Sequence, residues 1–248
     1  MRKIFVFSGA GISAESGVPT FRDSNGLWEN HKVSDVATPD GWKRNPSLVL
    51  DFYKNRQEGL KTCQPNPGHL ALAKLQEKFE VINVTQNIDD LLERAGCKDV
   101  RHLHGSLFQR KCEHHRNIAG ADDDRSPGFS CDYQIQHDVP VVLDDKCPKC
   151  SGRMRPAIVW FGEAVMMKTG EMRKLAYEMS QNDGIFIVVG TSGKVYPAAN
   201  LIPIFSRVPN KYLIDPHPGG DTQGRSKFKV LQGPAGIKIP QLANELLA

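Results

Sequence analysis

Apolar residues along the chain gather into short runs, each closed by a small polar turn. Ile4 to Phe7 lead into Ser8-Gly9-Ala10-Gly11, Phe79 to Val84 into TQNIDD, Gly184 to Val189 into GTSG, and Lys211 to Ile214 into Asp215-Pro216. Runs this short and predominantly apolar predict strands buried on both faces. Between them the spacing turns helical. Pro46 to Leu60 sets Leu48, Phe52 and Leu60 on one stripe, with Tyr53 and Arg56 three apart beside it. His69 to Gln76, just after Pro67, predicts a second helix; Glu171 to Met179 and Ile239 to Leu247 predict two more. Strands alternating with helices imply an α/β fold: a parallel sheet with crossover connections.

Parallel sheets bind ligands beyond the carboxyl ends of their strands. SGAGISAESG, TQNIDD and GTSG all fall at that end, and all are small and rich in donors. Two segments depart from the alternation. Residues 24–66 are richer in Asn, Pro and Trp and are expected to form a helical insert over the cleft. Residues 108–156 are polar, carry four of the six cysteines, and are expected to form a small metal-binding insert. Within them ADDDRSPG has no means of burying itself and is expected to be a mobile loop. The sheet domain is then 1–107 and 157–248.

Composition narrows the class without naming it. The 248 residues are 40% hydrophobic and 24% charged, as in a soluble globular protein. A net charge of +4, from 32 basic and 28 acidic residues, gives no reason to expect a nucleic-acid partner. No run reaches membrane-spanning length, and Gly9 and Gly11 break the first apolar run too early for a leader peptide. The expectation is a cytoplasmic monomer. In that compartment clustered cysteines favour a metal over disulfides.

Each polar turn suggests a chemistry. Gly9 and Gly11 allow a tight turn and close approach of a ligand, and amides at the start of a following helix suit a diphosphate. A purely structural turn accounts for these glycines equally well, because Gly17 is displaced from the GxGxxG spacing. Arg22 could face a phosphate or pair with Asp23. Gln86, Asn87 and Asp89 offer the donors and acceptors that ribose hydroxyls and a carboxamide need, although Asp89 or Asp90 also suits the start of a helix. HLHG supplies His102 and His104; His104, followed by glycine, is a candidate general base or a backbone-bonded core histidine. Cys147-Pro148-Lys149-Cys150 has the spacing of a zinc knuckle, with Gly152 as its turn residue. Cys112 is the third ligand, and the fourth is His115 or Cys131.

Taken together, GAGISAESGVPTFRDSNGLW, TQNID, HLHG, CPKC, VWFGE and GTSGKVYPAA resemble the sirtuins, the NAD-dependent protein-lysine deacylases, over nearly the whole chain and in family order. The likeness is greatest to the desuccinylase-type bacterial and mitochondrial members. The resemblance implies a Rossmann-like large domain, a small domain holding structural Zn2+, and a cleft between them where NAD meets an acyl-lysine protein or peptide. By the same resemblance, Gly9, Ala10, Gly11, Ser13 and Glu15 form the turn under the dinucleotide. Thr20, Phe21 and Arg22 lie around the nicotinamide ribose. Gln86, Asn87, Ile88 and Asp89 line the ribose and nicotinamide pocket, and Asn87, Asp89 and His104 serve catalysis. Gly190, Thr191 and Ser192 form the second dinucleotide turn, with Asp215 and Ala235 near the adenosine. Val159, Trp160, Phe161 and Gly162 form the strand that pairs with the substrate peptide. Tyr53 and Arg56 face the acyl pocket, where an Arg fork suits a carboxylate-ended acyl group such as succinyl, malonyl or glutaryl, alongside acetyl. The chain departs from the family pattern at Leu92, where many members have histidine, and at His115 in the metal half-site. An ADP-ribosyltransferase and a non-enzymatic NAD-sensing module are the rival uses of the same residues.

Overall fold

The computed structural model describes residues 1–19, 27–28, 30–115, 131–165, 167–193, 195–218 and 227–248, with the backbone alone at residue 27. Thr20, Phe21 and Arg22, and the ADDDRSPG loop, lie outside the described residues. Eleven strands are present among them: β1 (Lys3–Ser8), β2 (Leu27–Trp28), β3 (His31–Lys32), β4 (Glu80–Thr85), β5 (Asp99–His102), β6 (Gly105–Cys112), β7 (Gln134–Gln136), β8 (Met154–Ile158), β9 (Ile185–Val189), β10 (Asn210–Asp215) and β11 (Lys229–Gln232). The helices are α1 (Val33–Val36), α2 (Pro39–Arg44), α3 (Pro46–Thr62), α4 (Pro67–Leu75), α5 (Leu91–Arg94), α6 (Thr169–Gln181), α7 (Leu201–Ile204) and α8 (Ala235–Leu247). No helix among the described residues is long and apolar enough to cross a membrane.

Six strands form one parallel sheet in the order β11-β10-β9-β1-β4-β5. Chain order reverses between β1 and β9, which gives the Rossmann arrangement and opens a crevice at their carboxyl ends. The apolar character of the central strands follows from burial on both faces. In β1, Ile4 and Val6 join a core with Leu72 and Leu75 of α4 and Ile239 and Leu242 of α8. Phe5 and Phe7 point the other way, into a core with Met172, Ala176 and Met179 of α6 and Leu201 and Phe205. β9 alternates in the same manner, Ile185 and Ile187 on one side, Phe186 and Val188 on the other. Two short edge strands, β5 and β11, have no such run; β11 is mostly exposed and reads as polar.

A second sheet, β7-β6-β8, is antiparallel. Its core is shared with α1, α2 and α3: Trp42, Val49, Phe52, Tyr53 and Leu60 pack with Leu107, Met154, Ile158, Trp160 and the cysteines 112, 131 and 147. The two segments that depart from the strand–helix alternation therefore build one hydrophobic core rather than two. The helices begin where the sequence gives them caps: Thr38 and Asn45 accept from Gly41 N and Leu48 N, each followed by proline at the first helical position.

Candidate active site

The crevice at the carboxyl ends of β1 and β9 opens into a cavity of about 670 Å³, a size suited to small-molecule ligands. Gly9, Ala10 and Gly11 line it after β1, Gln86 to Asp89 after β4, and Gly190, Thr191 and Ser192 after β9. His104 lines it from the turn after β5, Val159 to Gly162 from the end of β8, and Tyr53 and Arg56 from α3. Most of the candidate residues are thus brought to one concavity. Ser13, Glu15, Asp215 and Ala235 are not among its lining residues.

The glycine turn differs from expectation. No α-helix follows it; two 3-10 turns, Ala10–Ile12 and Ala14–Ser16, do. Its glycines are required by the neighbouring turn of the protein itself. Gly9 N donates to Val189 O at 3.0 Å and Gly11 N to Gly190 O at 2.9 Å. A Cβ on Gly11 would stand 2.6 Å from Gly190 Cα, and Gly190 has φ +61°. Gly11→Ala is expected to push the two turns apart and cost about 1–3 kcal/mol, read as a lowered Tm; an unchanged Tm would contradict this packing.

Beneath the cavity a buried polar relay joins three elements. Asn66 N donates to Nδ1 of His69 (3.2 Å), so the proton of that ring sits on Nε2, which faces Ser13 Oγ at 3.4 Å. Ser13 Oγ donates to Asp89 Oδ2 (3.0 Å) and accepts from Asn87 Nδ2 (3.1 Å). Burial pushes the His69 ring down to about 4, so it remains neutral. Burial also raises Asp89, against the bonds from Leu91 N and Ser13 that favour its charge. Asp89 therefore does two things: Oδ1 accepts from Leu91 N at the start of α5, and Oδ2 anchors Ser13. His69 was not a sequence candidate. Its place in GHLALAKLQ marks it only as a helix residue.

His104 is tied by Nδ1 to the Gln86 carbonyl at 2.9 Å. A carbonyl only accepts, so Nδ1 carries the proton and Nε2 keeps its lone pair. Burial lowers its pKa below the ordinary histidine value, so the ring is neutral at pH 7. Gln86 also bridges the turns, donating from Nε2 to Thr191 Oγ1 at 2.8 Å. Glu15 and Asp215 hold backbone: Glu15 Oε2 accepts from Gly236 N (2.6 Å) at the start of α8, and Asp215 Oδ1 from His217 N (2.8 Å). Ala235 is buried at the first position of α8.

At the far side of the cavity, residues 159–162 follow β8 outside any strand, with a turn at 161–162. Val159 N donates to His104 O (2.9 Å) and Phe161 N to Ala37 O (2.9 Å). Trp160 N donates to Glu163 Oε2 (2.9 Å), and the indole stacks on the Arg155 guanidinium at 3.8 Å. Arg155 pairs with Glu163 and is almost wholly buried. Trp160 Nε1 donates to the Tyr53 hydroxyl at 3.1 Å. Tyr53 must accept that bond, so its own proton stays available to donate, and burial holds its pKa above the ordinary tyrosine range. The Arg56 guanidinium lies over the Trp28 ring at 4.4 Å.

The metal candidates resolve to four thiols. Cys112, Cys131, Cys147 and Cys150 bring their sulfurs within 4.8 Å of one another. The pairs 112–150 and 131–147 stand 3.4 and 3.5 Å apart, too far for disulfides and close to the edge of about 3.8 Å that Zn–S bonds of about 2.3 Å imply for a tetrahedron. His115 is excluded from the set. Cys131 N donates to His114 O (3.1 Å), and this pairing beside the Cys112–His115 turn delivers Cys131 instead. The turn after Cys150 is made by Ser151, at φ +59°, rather than by Gly152. A Cβ on Gly152 would stand 2.8 Å from the His114 ring and 3.3 Å from Cys112 Sγ, so a side chain there would press on the cluster. A closed four-thiolate shell fits structural zinc.

Comparison with known proteins agrees with this geometry. The model of the Sir2 family matches residues 9–197. A protein of Bacteroides thetaiotaomicron named NAD-dependent protein deacylase is 39% identical over 247 residues, covering 100% of this chain and 99% of that protein. The crystal structure of a Sir2 homologue–NAD complex superposes with a TM-score of 0.79 at 32% identity, covering 99% of this chain and 89% of the other. That of a Sir2–p53 peptide–NAD+ complex gives 0.68 at 27%, covering 99% and 92%. With the fold, the cavity and these relatives in agreement, the chain belongs to the Sir2 family.

Proposed function

We propose that the protein removes acyl groups from protein lysines with consumption of one NAD and one water, releasing nicotinamide, free lysine and O-acyl-ADP-ribose. The observation that carries this reading is the convergence of His104, with Nε2 unprotonated, and both glycine turns on one cavity. When bound, NAD supplies a ribose carbon made electrophilic by the leaving nicotinamide. The Gly9–Gly11 turn and the Gly190–Ser192 turn hold its phosphates and adenosine side, backed by Ser13, Glu15, Asp215 and Ala235. Asn87 and Asp89, braced by Ser13, orient the ribose and nicotinamide end, with Gln86 and Ile88 beside them. His104 accepts a hydroxyl proton at Nε2. Its lowered pKa sets the sign of the acid limb: the neutral base is lost, and activity with it, as pH falls through that value. Residues 159–162 receive the substrate backbone, and Trp160 walls the lysine channel. Zn2+, when bound by the four thiolates, holds the small sheet that carries this wall. The test is stoichiometric release of nicotinamide with acyl-lysine peptide.

The acyl preference rests on Tyr53 and Arg56. Both line the cavity, and a guanidinium with a neutral phenol donor suits a carboxylate-ended chain. Arg56→Met is expected to lower kcat/KM for succinyl-lysine about 10- to 100-fold, the worth of one or two hydrogen bonds to a charged group. Acetyl-lysine should change only a few-fold. Parallel assays on the two peptides read this split, and equal losses would contradict it.

A further inference from the structure

Two histidines hold the Gln86–Asp89 loop from the β5 side, and the mechanism above uses only His104. The other is His102, the last residue of β5, whose side chain is 14% exposed. Its Nδ1 lies 2.8 Å from the Asn87 carbonyl oxygen, and its Nε2 lies 2.7 Å from Glu93 Oε1 on α5. Both partners are acceptors: a carbonyl has no proton to give, and an ionised carboxylate has none. A neutral imidazole donates through one nitrogen only. The other would then set lone pair against lone pair at less than 3 Å. Only the doubly protonated ring satisfies both contacts.

We propose that His102 is a positioning residue acting as an imidazolium clamp, which ties the Asn87 carbonyl to the Glu93 carboxylate and so fixes the loop that presents Asn87 and Asp89 to the cavity. The proposal rests on the functional reading above, in which that loop serves the ribose and nicotinamide end of NAD.

The groups around the ring agree with a retained proton. Burial is the largest single influence on His102 and pulls its pKa down. The hydrogen bond and charge of Glu93, the Asn87 carbonyl and the charge of Asp89 together outweigh it, and the net shift is upward. The remaining charges nearby are already engaged. Asp90 faces Arg94 at 3.7 Å, and Arg101, next to His102 on β5, is bound to Asp99 at 2.9 Å. Thr85, the register partner of His102 on β4, carries no charge. The His102 charge in turn helps keep the buried Asp89 carboxylate ionised.

The two histidines then act on opposite limbs of a pH profile. His104 must lose its proton to work, whereas His102 must keep its own. Activity therefore falls on the alkaline side as His102 deprotonates.

The test follows the His102 ring by NMR alongside kcat/KM for NAD across pH, in the wild type and in Glu93→Gln. Glu93 is 42% exposed and lies outside the cavity lining, so its amide leaves the fold in place. The expected result is a wild-type ring that is doubly protonated below about pH 6.5 and titrates together with the alkaline limb. In Glu93→Gln both midpoints should move down together, by about one pH unit, through a rise in KM for NAD more than a fall in kcat. The acid limb should stay in place. A ring with a single proton below that pH, or an alkaline limb that Glu93→Gln does not move, overturns the clamp. A wild type that releases no nicotinamide from NAD and acyl-lysine at any pH overturns the functional reading instead. The pH dependence of NAD affinity, measured by calorimetry on the same two proteins, then decides the clamp.

Discussion

His104→Ala is expected to lower deacylation by about 10²- to 10⁴-fold, with NAD affinity changed only a few-fold and the Tm lowered by several degrees without loss of the fold. The size follows from the position of the ring. Its Nδ1 is committed to the Gln86 carbonyl, so Nε2 is held as a base in the cavity without further reorganisation. The variant leaves one carbonyl, that of Gln86, without its partner, a cost of about 1–3 kcal/mol, well below the stability of an ordinary fold. Steady-state rates with an acyl-lysine peptide, NAD binding by calorimetry and far-UV circular dichroism separate chemistry from binding and folding. Retention of more than a tenth of the wild-type rate would remove His104 from the role of base.

Loss of the metal is expected to have a comparably large effect by another route. Structural zinc in small domains is worth about 10–16 kcal/mol, as much as the whole stability of an ordinary fold. The four thiols lie in the core that also holds Trp42, Tyr53 and Trp160. Unlocking that core therefore strips one wall from the cavity, although no thiol lines it. Cys131→Ser or strong chelation should abolish stoichiometric zinc, broaden the near-UV spectrum and reduce activity by more than about tenfold. His115→Asn should keep one zinc per chain and near-normal activity. Metal analysis of the two variants decides the fourth ligand: zinc lost with His115→Asn and kept with Cys131→Ser would reverse the assignment.

The parts legible in the sequence were those whose signal is local. Strands β1, β4, β9 and β10 are apolar on both faces, so their runs stood out within a residue or so of their true ends. Helices α3, α4, α6 and α8 announced themselves by spacing and proline. β5 and β11 were hidden because edge strands bury little and carry polar residues. β6, β7 and β8 were hidden because charged residues such as Lys111 and Arg155 are buried within them, which breaks the apolar alternation. In the site, each turn was visible as a motif, but what its residues touch was not. Gly11 reads as room for a ligand, yet the structure gives that room to Gly190. Glu15 reads as part of the dinucleotide turn, yet it holds the first turn of α8, 221 residues away in sequence. His69, His102 and Glu93 gain their roles only through contacts across elements. Cys131 and His115 could not be ranked from spacing, because the long segment between them conceals which one the chain returns to the cluster.

On this reading one cavity couples NAD cleavage to removal of an acyl group. This coupling is tested most directly by counting products from NAD and a succinyl- or acetyl-lysine peptide by mass spectrometry. Nicotinamide, free-lysine peptide and O-acyl-ADP-ribose should appear in equal amounts, and the deacylated products about 10²- to 10⁴-fold more slowly with His104→Ala. Nicotinamide formed with the acyl group still on the peptide and ADP-ribose attached to protein, or NAD bound and never consumed, would contradict it.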